Sequence, residues 1–87
     1  MKSRTTRRFW QLFDALPAEV QLQAKSAYQL WSIDPWHSSL RFKKIEDNIP
    51  LYSVRVGLHY RAIGKRDGDE VKWFWIGSHA DYDKLLR

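Results

Sequence analysis

The stretch that most constrains the fold is Leu51–Arg87, where three apolar segments with β-strand character are joined by short turns. Gly57-Leu58-His59 makes the first connection, and Asp67-Gly68 is a strong hairpin signal in the second. The third segment is dense in valine and aromatic residues, which is typical of a central strand covered in part on both faces. The three predicted strands are Leu51–Val56, Tyr60–Gly64 and Glu70–Ile76.

The first half of the chain has helical periodicity instead. Apolar residues recur at helical spacing within Arg4–Leu16, where Thr5 or Thr6 can cap the helix. A second helix has Pro17 in its first turn and ends before Asp34-Pro35, because the residue before a proline avoids helical geometry. Since almost no loop separates the two helices, we expect a helical hairpin.

Two further elements complete the predicted fold. Leu40–Ile45 alternates apolar and basic residues and predicts another strand, and Ala80–Leu86 predicts a short closing helix that Ser78 can cap. Trp73 and Trp75 lie two residues apart, so we expect them to share one face and to cover the helices. The predicted fold class is α+β, with an N-terminal helical hairpin packed on an antiparallel, curved sheet of three to four strands.

The composition bounds the kind of protein. A chain of 87 residues is expected to form one domain, residues 1–87. There are no cysteines and the three histidines are scattered, so we expect no disulfide, no metal site and no cofactor. No apolar run could span a bilayer and no signal peptide is evident, which predicts a cytoplasmic protein. The net charge of +5 favours an anionic partner such as RNA, DNA or an acidic protein.

Basic side chains and a histidine are predicted to gather on one concave face of the sheet. Strand alternation puts Ser53 and Arg55 on the same face, and Arg61 on the next strand can join them. Guanidinium groups neutralise a phosphate, and an imidazole moves a proton near neutral pH. The pattern therefore indicates a site that handles a phosphodiester. The residues expected to line it are Lys43 or Lys44, Ser53, Arg55, Arg61, His79 and Tyr82.

Four segments, in this order and spacing, carry a resemblance to a known family. They are Leu40–Ile45, Leu51–Val56, Tyr60–Ile63 and Trp75–Tyr82. Over roughly the last half of the chain they resemble the toxins of RelE/ParE-type toxin–antitoxin systems, and the helical hairpin in front agrees with that architecture. The resemblance, to the RelE/YafQ-like mRNA interferase branch, implies a toxin of a type II system that cleaves mRNA on the ribosome without a metal. It also implies an acidic antitoxin that folds over the toxin.

The resemblance also implies roles for individual residues. Arg55 and Arg61 match the family's basic strand positions and would hold the scissile phosphate. His79 ends a segment similar to the branch that transfers protons with a histidine, and it is the expected general acid or base. Tyr82 lies near an aromatic position that stacks on a base or shares in proton transfer. Residues expected to contact the nucleic acid are Arg41, Lys43, Lys44 and Ser53.

Two departures from the family pattern favour a mechanism centred on His79. Ser53 stands where some members carry a second lysine, and Ala80 or Asp81 occupies the region where many carry an arginine. Two other functions remain open. One is a ParE-like inhibitor of DNA gyrase that binds without catalysis, and the other is a degenerate toxin that only binds antitoxin or RNA. The residues also have a structural interpretation, in which Arg55 and Arg61 form a solvated sheet face and Tyr82 packs the last helix on the sheet.

Overall fold

Two helices cover one face of a five-stranded mixed sheet in the computed structural model, which describes residues 1–87, and a third helix lies against the other face. The strands are β1 Lys2–Thr5, β2 Lys43–Lys44, β3 Leu51–Val56, β4 Tyr60–Asp67 and β5 Glu70–Ser78, in the spatial order β1-β5-β4-β3-β2. The α-helices are α1 Arg7–Asp14, α2 Ala18–Ile33 and α3 His79–Leu85, and a 3-10 turn occupies Ser38–Leu40.

The predicted helical hairpin is confirmed, and local contacts explain its ends. The Thr6 hydroxyl caps α1 by accepting a hydrogen bond from the backbone N–H of Phe9 at 3.1 Å. The side-chain amide of Gln21 donates to the backbone carbonyls of Phe13 at 2.9 Å and Leu16 at 3.3 Å. These bonds satisfy carbonyls at the end of α1 and tie it to the start of α2. The longest helix, α2, has 16 residues, and no helix has both the length and the hydropathy needed to cross a membrane.

The sheet has one strand that the sequence did not predict. β1 overlaps the start of the segment that was expected to form the first helix. It pairs with β5 in parallel, from Lys2 opposite Glu70 to Thr5 opposite Trp73. The segment is polar and has no apolar alternation, so only its backbone pairing with the edge of β5 makes it a strand. The sheet is therefore mixed and five-stranded, whereas three or four antiparallel strands were expected.

The strand expected at Leu40–Ile45 is shorter than predicted. Leu40 ends the 3-10 turn, and Arg41 adopts a left-handed backbone conformation with φ of 47°. Leu40 and Phe42 are both buried in the core. Burial of these two side chains, together with the turn between them, leaves only Lys43–Lys44 extended against β3.

A β-bulge places Trp73 and Trp75 on opposite faces of the sheet. Ile63 pairs with Trp75 and Gly64 pairs with Trp73, so Phe74 has no partner on β4. The expectation that both tryptophans face the helices is therefore wrong for Trp75, because the extra residue reverses the alternation. Trp73 packs in the core, and Trp75 lies on the face that α3 covers.

The core lies between the helices and the sheet and is dominated by aromatic rings. Trp31 of α2 meets Trp73 and Phe42 edge to face, with ring centroids 5.5 and 5.8 Å apart. Val54, Val56 and Ala62 on β3 and β4 are buried beneath the helices and belong to the same cluster. Their burial fixes which face of these two strands points away from the helices.

We predict that replacing Gly64 by alanine destabilises the protein. A Cβ at this position would lie 2.5 Å from Cγ1 of Val71 and 2.8 Å from Cε3 of Trp73. Overpacking of this kind costs about 1–3 kcal/mol, which urea denaturation would measure. Lys65→Ala, at the exposed neighbouring position, serves as the control. A Gly64→Ala variant as stable as this control would contradict the close packing of β4 on β5.

Candidate active site

The strand register gathers basic side chains on the face of the sheet that points away from α1 and α2, called here the open face. Arg55 pairs directly with Arg61 across β3 and β4, and Lys43 pairs with Ser53 across β2 and β3. Lys43 therefore joins the open face. Lys44 pairs with Tyr52 and lies on the opposite face, away from the arginine pair.

Arg55 and Arg61 are two like charges held directly opposite each other. Partial burial, followed by the positive charge of Arg55, lowers the pKa of Arg61. Each guanidinium is anchored through one contact: Arg55 Nε donates to the carbonyl of Gly57, and Arg61 donates to that of Tyr60, both at 3.0 Å. A guanidinium has five N–H donors, so most donors remain for a ligand. An anion between the two would relieve their repulsion.

Arg41 adds a third positive charge to this pair. Its charge also contributes to lowering the pKa of Arg61, after burial and Arg55. Arg41 has a left-handed backbone conformation and lies between Leu40 and Phe42, whose buried side chains fix the backbone at this point. The expected nucleic-acid contact by Arg41 is compatible with this position.

His79 lies at the end of the sheet where the arginines lie. It is two residues beyond Gly77, the partner of Arg61 on β5, and it starts α3. Its backbone N–H donates to the carbonyl of His59 at 2.7 Å, and the Ser78 hydroxyl caps the helix by accepting from the N–H of Asp81 at 3.1 Å. The His79 side chain is 48% exposed, so the imidazole is fixed at its base and open to a substrate.

Tyr82 anchors α3 to the open face. It is 6% exposed, and its hydroxyl donates to the hydroxyl of Ser53 at 3.1 Å. Its ring stacks on His79, with centroids 5.9 Å apart and planes at 26°, and packs on Trp75 at 6.5 Å. A side chain so enclosed is not available to stack on a base of a substrate. Tyr82 instead supports the His79 ring by packing against it.

Ser53 does not have the role that was expected for it, because its side chain is enclosed as well. The sequence predicted a contact with nucleic acid, but Ser53 is 1% exposed and its hydroxyl is bonded to Tyr82. The contact joins residues 29 positions apart in the chain, which strand alternation alone could not indicate. Ser53 therefore holds α3 in place beneath the site.

Tyr82 and Asp83 are both neighbours of His79 on α3. Asp83 Oδ2 is 3.5 Å from Nε2 of His79. Tyr82 and Asp83 both act to raise the pKa of Arg61, against the larger effects of burial and Arg55. Both side chains thus lie beside the imidazole, Tyr82 through its ring and Asp83 through its carboxylate. The sequence interpretation missed Asp83, although its spacing of four residues from His79 on a helix signals a side-chain pair.

The arrangement offers two chemical capacities in one place. The guanidinium groups of Arg55 and Arg61 can hold an anion and stabilise negative charge that develops on it. The imidazole of His79 can give or take a proton near neutral pH. No group of three or more His, Cys, Asp or Glu side chains is placed to hold a metal ion.

Comparisons with known proteins agree on one family. The family model of the ParE-like toxin domain matches residues 18–84. A chain of the RelB–RelE antitoxin–toxin complex from Methanococcus jannaschii superimposes with a TM-score of 0.75 at 16% identity, covering 97% of this chain and 99% of that chain. No curated protein matches the chain by sequence.

Two further solved structures share the fold. The YoeB/ParE toxin from Agrobacterium tumefaciens gives a TM-score of 0.69 at 13% identity, covering 91% of this chain and 99% of that chain. A chain of the toxin–antitoxin complex RelBE2 from Mycobacterium tuberculosis gives 0.68 at 20% identity, covering 92% of each chain. The predicted α+β architecture and the predicted family resemblance are thereby confirmed.

We predict that Tyr82→Phe destabilises the protein by about 1–3 kcal/mol, because it leaves the buried Ser53 hydroxyl without a partner. The matched control is Tyr28→Phe, which removes a hydroxyl bonded at 2.8 Å to Ser3 on the exposed surface. Chemical denaturation should show a clear loss for Tyr82→Phe and almost none for Tyr28→Phe. Equal effects of the two variants would show that the Ser53–Tyr82 bond does not anchor α3.

Proposed function

The chain belongs to the ParE-like toxin family, and from this premise we propose that it is the toxin of a type II toxin–antitoxin system that cleaves mRNA on the ribosome. The observation that carries the proposal is the pairing of Arg55 with Arg61 across β3 and β4, together with His79 at the start of α3, two residues beyond Gly77, the partner of Arg61 on β5. A purely binding toxin has no need of a proton-transfer group beside paired guanidinium groups. Cleavage of a phosphodiester by general acid–base catalysis uses both.

The reaction follows from these groups. The 2′-hydroxyl of one nucleotide attacks the adjacent phosphorus while a base takes its proton. The bond from phosphorus to the 5′-oxygen breaks as an acid protonates that oxygen, leaving a 2′,3′-cyclic phosphate and a 5′-hydroxyl. Arg55 and Arg61 stabilise the negative charge that gathers on the non-bridging oxygens in the transition state. His79 acts as the general acid or the general base.

The surroundings of Arg61 suit it for this task. Partial burial weakens the hydration of the Arg61 guanidinium. The like charge of Arg55 on the neighbouring strand leaves the pair with uncompensated positive charge. A phosphate that gains charge in the transition state is stabilised more strongly by such a pair than by arginines dispersed in water. The chemistry requires no metal ion, because the guanidinium groups supply the positive charge.

The ribosome and an antitoxin are the proposed partners. The net charge of +5 attracts the chain to RNA, and Arg41 and Lys43 flank the site where the RNA backbone continues. The ribosome orients the mRNA and supplies the positioning that so small a site cannot. Two of the structures that share this fold were solved as antitoxin–toxin complexes. A cognate antitoxin with an acidic segment that folds over the basic open face fits both observations.

A second candidate function is inhibition of DNA gyrase without catalysis. The matching family model is described as ParE-like, and one structural relative is named a YoeB/ParE toxin. Primer extension on cellular mRNA distinguishes the two functions. Cuts in phase with codons support the nuclease, and DNA damage without mRNA cuts supports the gyrase inhibitor. Salt-sensitive RNA binding without either effect supports a degenerate toxin.

We predict that purified protein cleaves mRNA on ribosomes at a rate that chelation of metal ions leaves unchanged. His79→Ala should lower the single-turnover rate about 10²–10⁴-fold through loss of proton transfer. Arg61→Ala should lower it about 10²–10³-fold through loss of charge stabilisation. His37→Gln and Arg8→Ala, which change exposed residues outside the site, serve as matched controls. Cleavage undiminished by both site substitutions would refute the assigned residues.

A further inference from the structure

One side chain at the site, that of Asp83, carries a carboxylate. Asp83 is on α3, beside the imidazole of His79 and close enough to Arg61 to affect its pKa. A negative charge at a surface that binds a polyanion repels the substrate and weakens binding. As an exposed ion pair between neighbouring helical residues, it would add little to stability. The position of Asp83 beside His79 indicates instead a role in the chemistry of the imidazole.

Three contacts hold His79, one at its backbone and two at its ring. The backbone N–H of His79 is bonded to the carbonyl of His59 at 2.7 Å, and the ring of Tyr82 stacks on the imidazole at 5.9 Å. The third restraint is the carboxylate of Asp83, whose Oδ2 is 3.5 Å from Nε2. The first two hold the base and the flat side of the ring, and only the third acts on a particular nitrogen.

We propose that Asp83 is a positioning residue that accepts a hydrogen bond from Nε2 of His79 and so leaves Nδ1 to exchange the proton with the RNA. This inference rests on the proposed nuclease function. In a neutral imidazole one nitrogen carries the proton and the other accepts, so a carboxylate at Nε2 selects the tautomer with a free lone pair on Nδ1. When Nδ1 takes the proton, the carboxylate stabilises the imidazolium.

The proposal separates rate from binding in a way that a surface charge does not. Removing the carboxylate removes its repulsion of the RNA, so substrate binding stays equal or becomes tighter. It also releases the imidazole from its fixed tautomer and orientation, so the chemical step slows. A surface ion pair without a positioning role predicts the first effect alone.

The kinetic test compares Asp83→Asn with Asp81→Asn on ribosomes carrying mRNA. Asp81 lies on the same helix, is exposed and has no ion-pair partner, so the two variants change the charge equally. We expect Asp83→Asn to lower kcat by up to about 10²-fold, as for a misplaced catalytic group, with KM unchanged or lower. Asp81→Asn should keep the wild-type kcat. Equal kcat values for the two variants, or a higher KM for Asp83→Asn, would overturn the proposal.

A second measurement decides the question without catalysis. Nitrogen NMR of the His79 ring in the free protein, above the pH where the ring titrates, should show Nε2 protonated and Nδ1 unprotonated. Asp83→Ala should shift both nitrogens toward the values of an unrestrained imidazole, and Asp81→Ala should not. A ring unaffected by Asp83→Ala would overturn the proposal. Failure of the wild type to cut mRNA would instead refute the proposed function, while the ring nitrogens still report on Asp83.

Discussion

The register between β3 and β4 is the constraint on which the rest of the structure depends. Val54, Val56 and Ala62 are buried against the helices, and their burial is the favourable term that fixes the register. A one-residue shift of β3 would turn Val54 and Val56 to solvent and bring Arg55 into the core, and the same shift of β4 would do this to Ala62 and Arg61. Because the apolar face cannot slip, Arg55 and Arg61 leave their strands on the open side, directly opposite each other. The fold tolerates the repulsion between the two arginines, and a bound anion would relieve it.

The second constraint is the contact that holds α3 on the sheet. A helix of seven residues is too short to be stable alone, so its position depends on Tyr82, Ser53 and Trp75. The same helix carries His79 and Asp83. Anchoring one buried tyrosine therefore positions an imidazole and a carboxylate at the end of the sheet where Arg61 lies. In the proposed mechanism, the rigid strand pair supplies charge and the short helix supplies proton transfer.

The sequence predicted what local patterns govern. Alternation placed Ser53 and Arg55 on one face, and helical spacing with Pro17 and Asp34-Pro35 indicated the hairpin. What it missed depends on pairing between distant segments. β1 is polar and becomes a strand only against the edge of β5. The unpaired Phe74 reverses the face of Trp75, and the burial of Ser53 requires the arrival of Tyr82 from another element. No property of a single segment carries these facts.

The central claim is that Arg61 and His79 act on one phosphodiester in one step. A double-mutant cycle on the rate of ribosome-dependent mRNA cleavage tests it most directly, with Arg61→Ala, His79→Ala and the double variant measured on the same mRNA. Groups that serve one transition state are strongly coupled, so the double variant should be little slower than the slower single variant. Two losses that multiply in the double variant would show that the guanidinium and the imidazole act independently, and would contradict the account.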